Sequence, residues 1–234
     1  MAQGSGGYGG PNFSQIENSL RNIALSFASI ASIQIQLRAS VDAWRMLERE
    51  LVLAQAASEG TRDDFLKMEV AARNFALSTT FSASQVANAF YSLASAGMTA
   101  AQALSASNGV IMMAQATLTD LGEAADIVSS TLSQFNLQAA ESYRVGNLFV
   151  ASTNASLSTV PKLAFAMRQV GPIANQMNLS LEQTVGMLDK LFDAGLRGEQ
   201  AGTALRNVIS RLANPVGSAR MLMQNLGVTT VDPN

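Results

Sequence analysis

From Phe13 onward, apolar residues recur at alternating intervals of three and four: Phe13, Ile16, Leu20, Ile23, Phe27, Ile30, then the polar Gln34, then Leu37, Val41 and Trp44. This is the a/d spacing of a coiled coil, and it predicts one long helix over residues 13–58. At 1.5 Å per residue such a helix spans roughly 70 Å, more than a compact domain of this size needs. Two readings stay open. In one, the stripe associates with copies of itself and the single polar member, Gln34, sets register and strand number. In the other, Leu25, Ile33 and Ile35 widen the stripe enough for it to pack on its own domain.

Beyond Glu59-Gly60 the apolar period shortens into capped units. The stretch TFSASQVANAFYSLASAGMTAAQA, residues 80–103, returns 98 residues later as NLSLEQTVGMLDKLFDAGLRGEQA, residues 178–201. Aligned without a gap, the two share Ser82/Ser180, Gln85/Gln183, Leu93/Leu191, Ala96/Ala194, Gly97/Gly195, Gln102/Gln200 and Ala103/Ala201, and Val110-Ile111 meets Val208-Ile209. Ser-x-x-Gln is a capping box, so Ser82 and Ser180 each start a helix. Gly97 and Gly195 supply the left-handed conformation that ends it. A weaker third copy opens at the cap Asp120, with Glu123 three residues on, and closes at Asn136-Leu137. Gly202, in the run Ala201-Gly202-Thr203, is read as a further tight turn. Thr61 and Thr99 cap two more helices, Pro161 suits a first helical turn, and Gly171-Pro172 is expected to break the chain. The fold class is all-α: a long coiled-coil-like N-terminal helix followed by stacked helical hairpins. Domains are expected at 1–12 (a flexible glycine-rich tail), 13–58 (the long helix) and 59–234 (a helical core domain continuing past the chain end).

Composition narrows the function. The chain has no cysteine and no histidine, which excludes disulfides, thiol nucleophiles and His-based acid–base chemistry within it. With a net charge of −2 and scattered Lys and Arg, no basic stripe for nucleic acid is legible, so no direct nucleic-acid contact is expected. No Asp, Glu, Lys or Arg falls between Arg73 and Asp120. That invites a membrane reading, in which helices from 74 to 119 insert into lipid as a translocator or pore-former. The run is broken by Ser, Thr, Asn, Gln and Gly, however, and close packing through small residues accounts for it better. The start, MAQGSGGYGGP, carries neither the basic nor the apolar region of a secretory signal.

Three carboxylates, Glu182, Asp189 and Asp193, share one face of a helix, as a metal or acid–base site would require. The neighbouring Lys190, Arg197 and Glu199 favour a solvated charged face instead. Glu141-Ser142 resembles the Glu-Ser pair of lytic transglycosylases, but the glycine-rich continuation is missing. No catalytic, cofactor-binding or metal residue is assigned.

LASAGMTAAQAL, TLTDLGEAADIVSSTLSQFNL and above all LFDAGLRGEQAGTALRNVISRLANP, followed by LGV and an acidic residue, resemble the core domain of phage tail tape measure proteins over roughly residues 45–234. The resemblance implies a non-enzymatic structural protein of a phage or prophage tail. Such a protein is an elongated helical oligomer, here a trimer or hexamer, in the tail lumen. Tail tube protein polymerises around it, its length sets tail length, and it leaves the tail when the genome is delivered. Implied partners are the tail tube protein, tail assembly chaperones and tail tip or baseplate proteins. The implied location is the virion tail, and the host cytoplasm during assembly; membrane contact would come only through regions outside this chain. A tail of about 1,000 Å needs roughly 670 helical residues, so this chain is not the whole ruler.

If capped hairpins stack through their glycine turns, Gly195→Val should cost several kcal/mol through a forbidden backbone conformation and crowding. An unchanged melting temperature would refute that reading.

Overall fold

The computed structural model describes residues 41–217 together with 220, 221 and 225. Contacts divide the chain into two units, Met1–Met46 and Leu47–Asn234. Of the first, only residues 41–46 are described; they are helical, with an ion pair between Asp42 and Arg45. The expected stripe from Phe13 through Leu37, including Ile16, Leu20, Ile23, Phe27, Ile30 and Gln34, lies outside the described residues.

The second unit is all-α among its described residues. Its first described residues, 47–57, are helical and are labelled α1. Then come α2 (Arg62–Ser78), α3 (Ala83–Ser95), α4 (Ala100–Thr117), α5 (Leu121–Gln134), a 3₁₀ turn (Ala139–Glu141), α6 (Ser142–Ala155), α7 (Val160–Gln176), α8 (Leu181–Asp193) and α9 (Gly198–Ala213). The starts are set by side-chain caps. Thr61, Ser82, Thr99 and Ser180 each accept from the backbone N–H three residues on, and the acid or amide there accepts the cap's own N–H. Asp120 accepts from the N–H groups of Gly122 and Glu123.

Four of the ends, those of α3, α5, α7 and α8, follow one rule. A residue with positive φ is followed by an apolar residue, and the next residue takes the N-cap position of the following helix: Gly97-Met98-Thr99, Asn136-Leu137-Gln138, Asn178-Leu179-Ser180 and Gly195-Leu196-Arg197. In each, the apolar residue's N–H donates to a carbonyl five residues back (Leu93, Leu132, Ala174, Leu191), and its side chain packs against the core. This satisfies helix-end carbonyls that would otherwise be orphaned.

Two sequence expectations need correction. Gly202 lies one turn inside α9, not in a turn. Its small size serves helix packing: a Cβ there would sit 2.5 Å from the Ala166 carbonyl oxygen on α7. Gly171-Pro172 does not break the chain, since Pro172 is inside α7. Pro172 faces solvent, where water can take the hydrogen bond its missing N–H gives up, while Val160, Leu163, Met167, Val170 and Ala174 hold the opposite faces in the core.

The 98-residue echo extends well beyond the two phrases. Arg62–Ser78 and Val160–Gln176 have both ends 98 residues apart, as do Ala83–Ser95 and Leu181–Asp193; α4 and α9 begin at Ala100 and Gly198. Helices α1 and α6 end at Ala57 and Ala155. Buried positions keep the same register: Leu47/Val145, Leu51/Phe149, Phe65/Leu163, Ala72/Val170, Phe90/Leu188 and Ile111/Ile209. The segment is therefore a tandem repeat of one helical unit, α1 to α4 and then α6 to α9, with α5 between them.

The closest packing joins helices two apart in sequence. Helices α4 and α6 meet at Gly109 and Gly146: a Cβ on Gly109 would overlap the Ser142 carbonyl, and one on Gly146 would sit 2.7 Å from the Gly109 carbonyl oxygen. Helices α7 and α9 meet where Gly198 and Gly202 rest on the backbone of Lys162 and Ala166. Their contact is far more extensive than that of their counterparts α2 and α4. At the positions that correspond to Gly202 and Ala166, the first repeat carries the larger Leu104 and Met68. Equal topology thus gives unequal spacing, decided by side-chain size.

A methyl at Gly195 would meet nothing within 4 Å, so the expected crowding is absent there and only the backbone argument survives. With φ of 88°, Gly195→Val is expected to cost about 2 kcal/mol. Gly202→Ala should cost more, about 2–4 kcal/mol, because it forces two backbones apart. Gly186→Ala, on the exposed face of α8 with nothing within 4 Å, should stabilise by about 0.5–1 kcal/mol. Chemical denaturation of the three variants checks the ordering, and a harmless Gly202→Ala would contradict the packing account.

The carboxylate face of alpha 8 and the candidate interaction surfaces

Glu182, Asp189 and Asp193 share one face of α8, and the fold turns that face toward α6. Arg144 on α6 grips Glu182 with two parallel bonds, Nε to Oε1 at 2.7 Å and Nη2 to Oε2 at 2.9 Å. Further along, Asp189 Oδ1 accepts from the hydroxyls of Ser152 and Ser156, the latter at 3.1 Å. Asp193 Oδ1 accepts from the Leu157 N–H at 3.2 Å. Partner numbers rise together on both helices, so α6 and α8 run parallel and are laced along their length. The first unit repeats the lacing at one point, where Asn88 Nδ2 on α3 donates to Glu50 Oε2 on α1 at 3.2 Å, 38 residues apart like Arg144 and Glu182.

The three carboxylates therefore act as structural acceptors, each with its own partner. Among the described residues, no group of three acidic, histidine or cysteine side chains is placed to hold a metal. The hydrogen bonds from Arg144 hold the Glu182 carboxyl below its ordinary 4.5, and the same pair holds the Arg144 guanidinium more firmly protonated. Glu141 is committed too: one carboxylate oxygen accepts from the Gln138 N–H and the other pairs with Arg144. It is a turn residue of the 3₁₀ segment.

The structure brings some of the turn and cap residues together. Gly97 and Asn136 line one open groove of about 670 Å³, walled by Gln102, Ser105, Ser129 and Gln138. Its lining residues carry no charge and offer nothing to activate a nucleophile. Gly195 and Ser180 lie at the two ends of α8, and Ser82 and Asp120 start α3 and α5. Of the expected self-association stripe, Val41 and Trp44 are helical and half-exposed, at 47% and 48%. Charge is missing between Arg73 and Asp120 because this segment builds the centre of the unit. Helix α4 buries nine positions, from Ala100 through Gly109 to Ala114. No helix among the described residues is long and apolar enough to cross a membrane.

The segment is thus a tandem helical module joined by tight turns and glycine contacts, with polar side chains lacing α6 to α8. The family of phage-related minor tail proteins matches residues 69–234, and the chain belongs to it. It is 31% identical over 225 residues to the tape measure protein of Pneumococcus phage Dp-1, covering 94% of this chain and 19% of that protein. It is 30% identical over 161 residues to the probable tape measure protein of Escherichia phage P2, covering 69% of this chain and 20% of that one. The chain thus spans about a fifth of the length of these relatives. No solved structure matches it.

The lacing makes a graded prediction. Glu182→Ala removes an exposed ion pair and should cost about 0.2–1 kcal/mol. Asp189→Ala removes the carboxylate that accepts from the buried Ser152 hydroxyl, leaving it only Ser158 Oγ at 3.2 Å, and should cost about 1–3 kcal/mol. Because the Glu182 carboxyl titrates lower in the folded state, its contribution is present above 4.5 and is lost as pH falls through the folded value. Urea melts of wild type and Glu182→Gln should differ at pH 7 and converge toward pH 3. A gap that widens on acidification would show that the pair is not stabilising.

Proposed function

We propose that this chain is the folded module of a tape measure protein, acting in tail assembly and tail length determination and leaving the tail during genome delivery. The observation that carries the reading is the match to the Dp-1 tape measure protein along 94% of the chain. What supports it in kind is an all-helical tandem unit in which the three carboxylates of α8 accept hydrogen bonds that hold the helix to its neighbours, as suits a scaffold. The length determinant is then the whole protein, of which this module is one part. Residues 13–58, as a coiled-coil segment, associate copies into a trimer or hexamer along the tail axis. Residues 59–234 form the core domain, which continues in the longer protein. The partners are those of an axial tail component: the tail tube protein that surrounds it, tail assembly chaperones, and tip or baseplate proteins at its end. The location is the lumen of the virion tail after assembly in the host cytoplasm.

Two measurements test this. Light scattering coupled to size-exclusion chromatography should give a trimer or hexamer for residues 1–234 and a monomer of unchanged helicity for the Ile23→Asp/Ile30→Asp variant. Equal masses would remove the coiled-coil role. In the phage or prophage encoding the protein, deleting the two heptads 17–30 should shorten tails by about 21 Å, read by electron microscopy. Tails of wild-type length would show that this segment is no part of the ruler.

A further inference from the structure

From α2 to α9, helices two apart in sequence pack side by side, so that α2, α4, α6 and α8 form one layer and α3, α5, α7 and α9 the other. The terminal units of a stacked helical array ordinarily turn a polar outer face to solvent. Here both terminal helices carry apolar stripes instead. On α9, Val208 and Leu212 are 53% and 56% exposed, whereas their counterparts 98 residues earlier, Val110 and Ala114 of α4, are buried. On α2, Leu66, Val70 and Leu77 are 45%, 57% and 88% exposed. Their spacing puts them on one side of that helix, away from Phe75 and Ser78, which line the groove toward α4.

Within the stack a single helix, α5, covers both kinds of surface, since it packs on α4 and on α7. On α7 its Gln134 lies against Gly171, and Ala164, the counterpart of Leu66, is buried. The stripes on α9 and α2 are therefore the two sides of a seam that is closed inside the module and open where the module's described helices begin and end.

Charge distinguishes the two ends. Between Leu47 and Ser78 six carboxylates face four cations, and Asp63 and Glu69 flank the α2 stripe. From α8 to α9 the cations are Lys190, Arg197, Arg206 and Arg211. The carboxylates there are Glu182, Asp189 and Asp193, taken up by hydrogen bonds to α6 and the turn after it, and Glu199. The α9 end is thus the more basic and the α2 end the more acidic. We propose that the α9 end of one copy of this chain docks on the α2 end of another, seating Val208 and Leu212 against Leu66, Val70 and Leu77. Pairing of like ends would instead set Arg206 and Arg211 against their own copies, which charge repulsion disfavours. The contact is heterologous, so association is open-ended. It follows from the fold alone and is independent of the coiled-coil segment.

The 234-residue protein carrying Ile23→Asp and Ile30→Asp isolates this contact, studied by sedimentation velocity above the concentrations of a chromatographic peak. The expected mass climbs past that of a dimer as concentration rises and recedes in high salt. In that background Val70→Asp and Leu212→Asp, both at exposed positions, should each abolish association with helicity unchanged. An equimolar mixture of the two should form dimers and stop there, because each variant keeps the end that the other lacks. A mass that stays monomeric at every concentration, or a mixture that does not dimerise, would overturn the proposal. Loss of association with Leu212→Asp but not with Val70→Asp would overturn it in favour of like ends pairing.

Discussion

The fold rests on the distance to which two helix backbones can approach. At Gly109 with Gly146, and at Gly198 and Gly202 over Lys162 and Ala166, the contacts are between main-chain atoms, with no side chain interposed. Such contacts gain dispersion over a large area, but they tolerate no added methyl group on the contacting positions. They also dictate the pairing of helices. The closest neighbours are two apart in sequence, so each tight turn needs only to reverse the chain while the stacking is decided elsewhere. The parallel lacing of α6 to α8, by Arg144, Ser152, Ser156 and the Leu157 N–H onto three carboxylates, adds direction to that stacking.

A module of this kind suits a tail component. The 98-residue register turns one helical unit into two without a new set of turns, and a unit that stacks on a copy of itself is the economical way to lengthen a helical scaffold. The unequal spacing of α2 with α4 and of α7 with α9 shows how far the copies have diverged.

What could be read from the sequence was local. The caps at Ser82, Asp120 and Ser180 and the left-handed turns at Gly97, Asn136 and Gly195 each depend on a few adjacent residues, and those residues write their own signature. Asn178-Leu179 was missed as a turn, although it repeats the Asn136-Leu137 pair. Gly202 was misplaced because a glycine that admits a neighbouring backbone looks, in one dimension, like a glycine that turns its own. The partners of Glu182, Asp189 and Asp193 left no local signal. Arg144, Ser152 and Leu157 lie more than 35 residues earlier, and only the parallel packing of α6 and α8 brings them within hydrogen-bonding distance.

The central claim is that side-chain size at matched positions sets the spacing of otherwise equivalent helices. An experimental structure of the 234-residue chain tests it through the interaxial separations of the two matched pairs. The account predicts that α7 and α9 approach to less than about 8 Å at Gly202, while α2 and α4 stay at or beyond the ordinary range of about 8–10 Å near Leu104. Equal separations in the two pairs would contradict it.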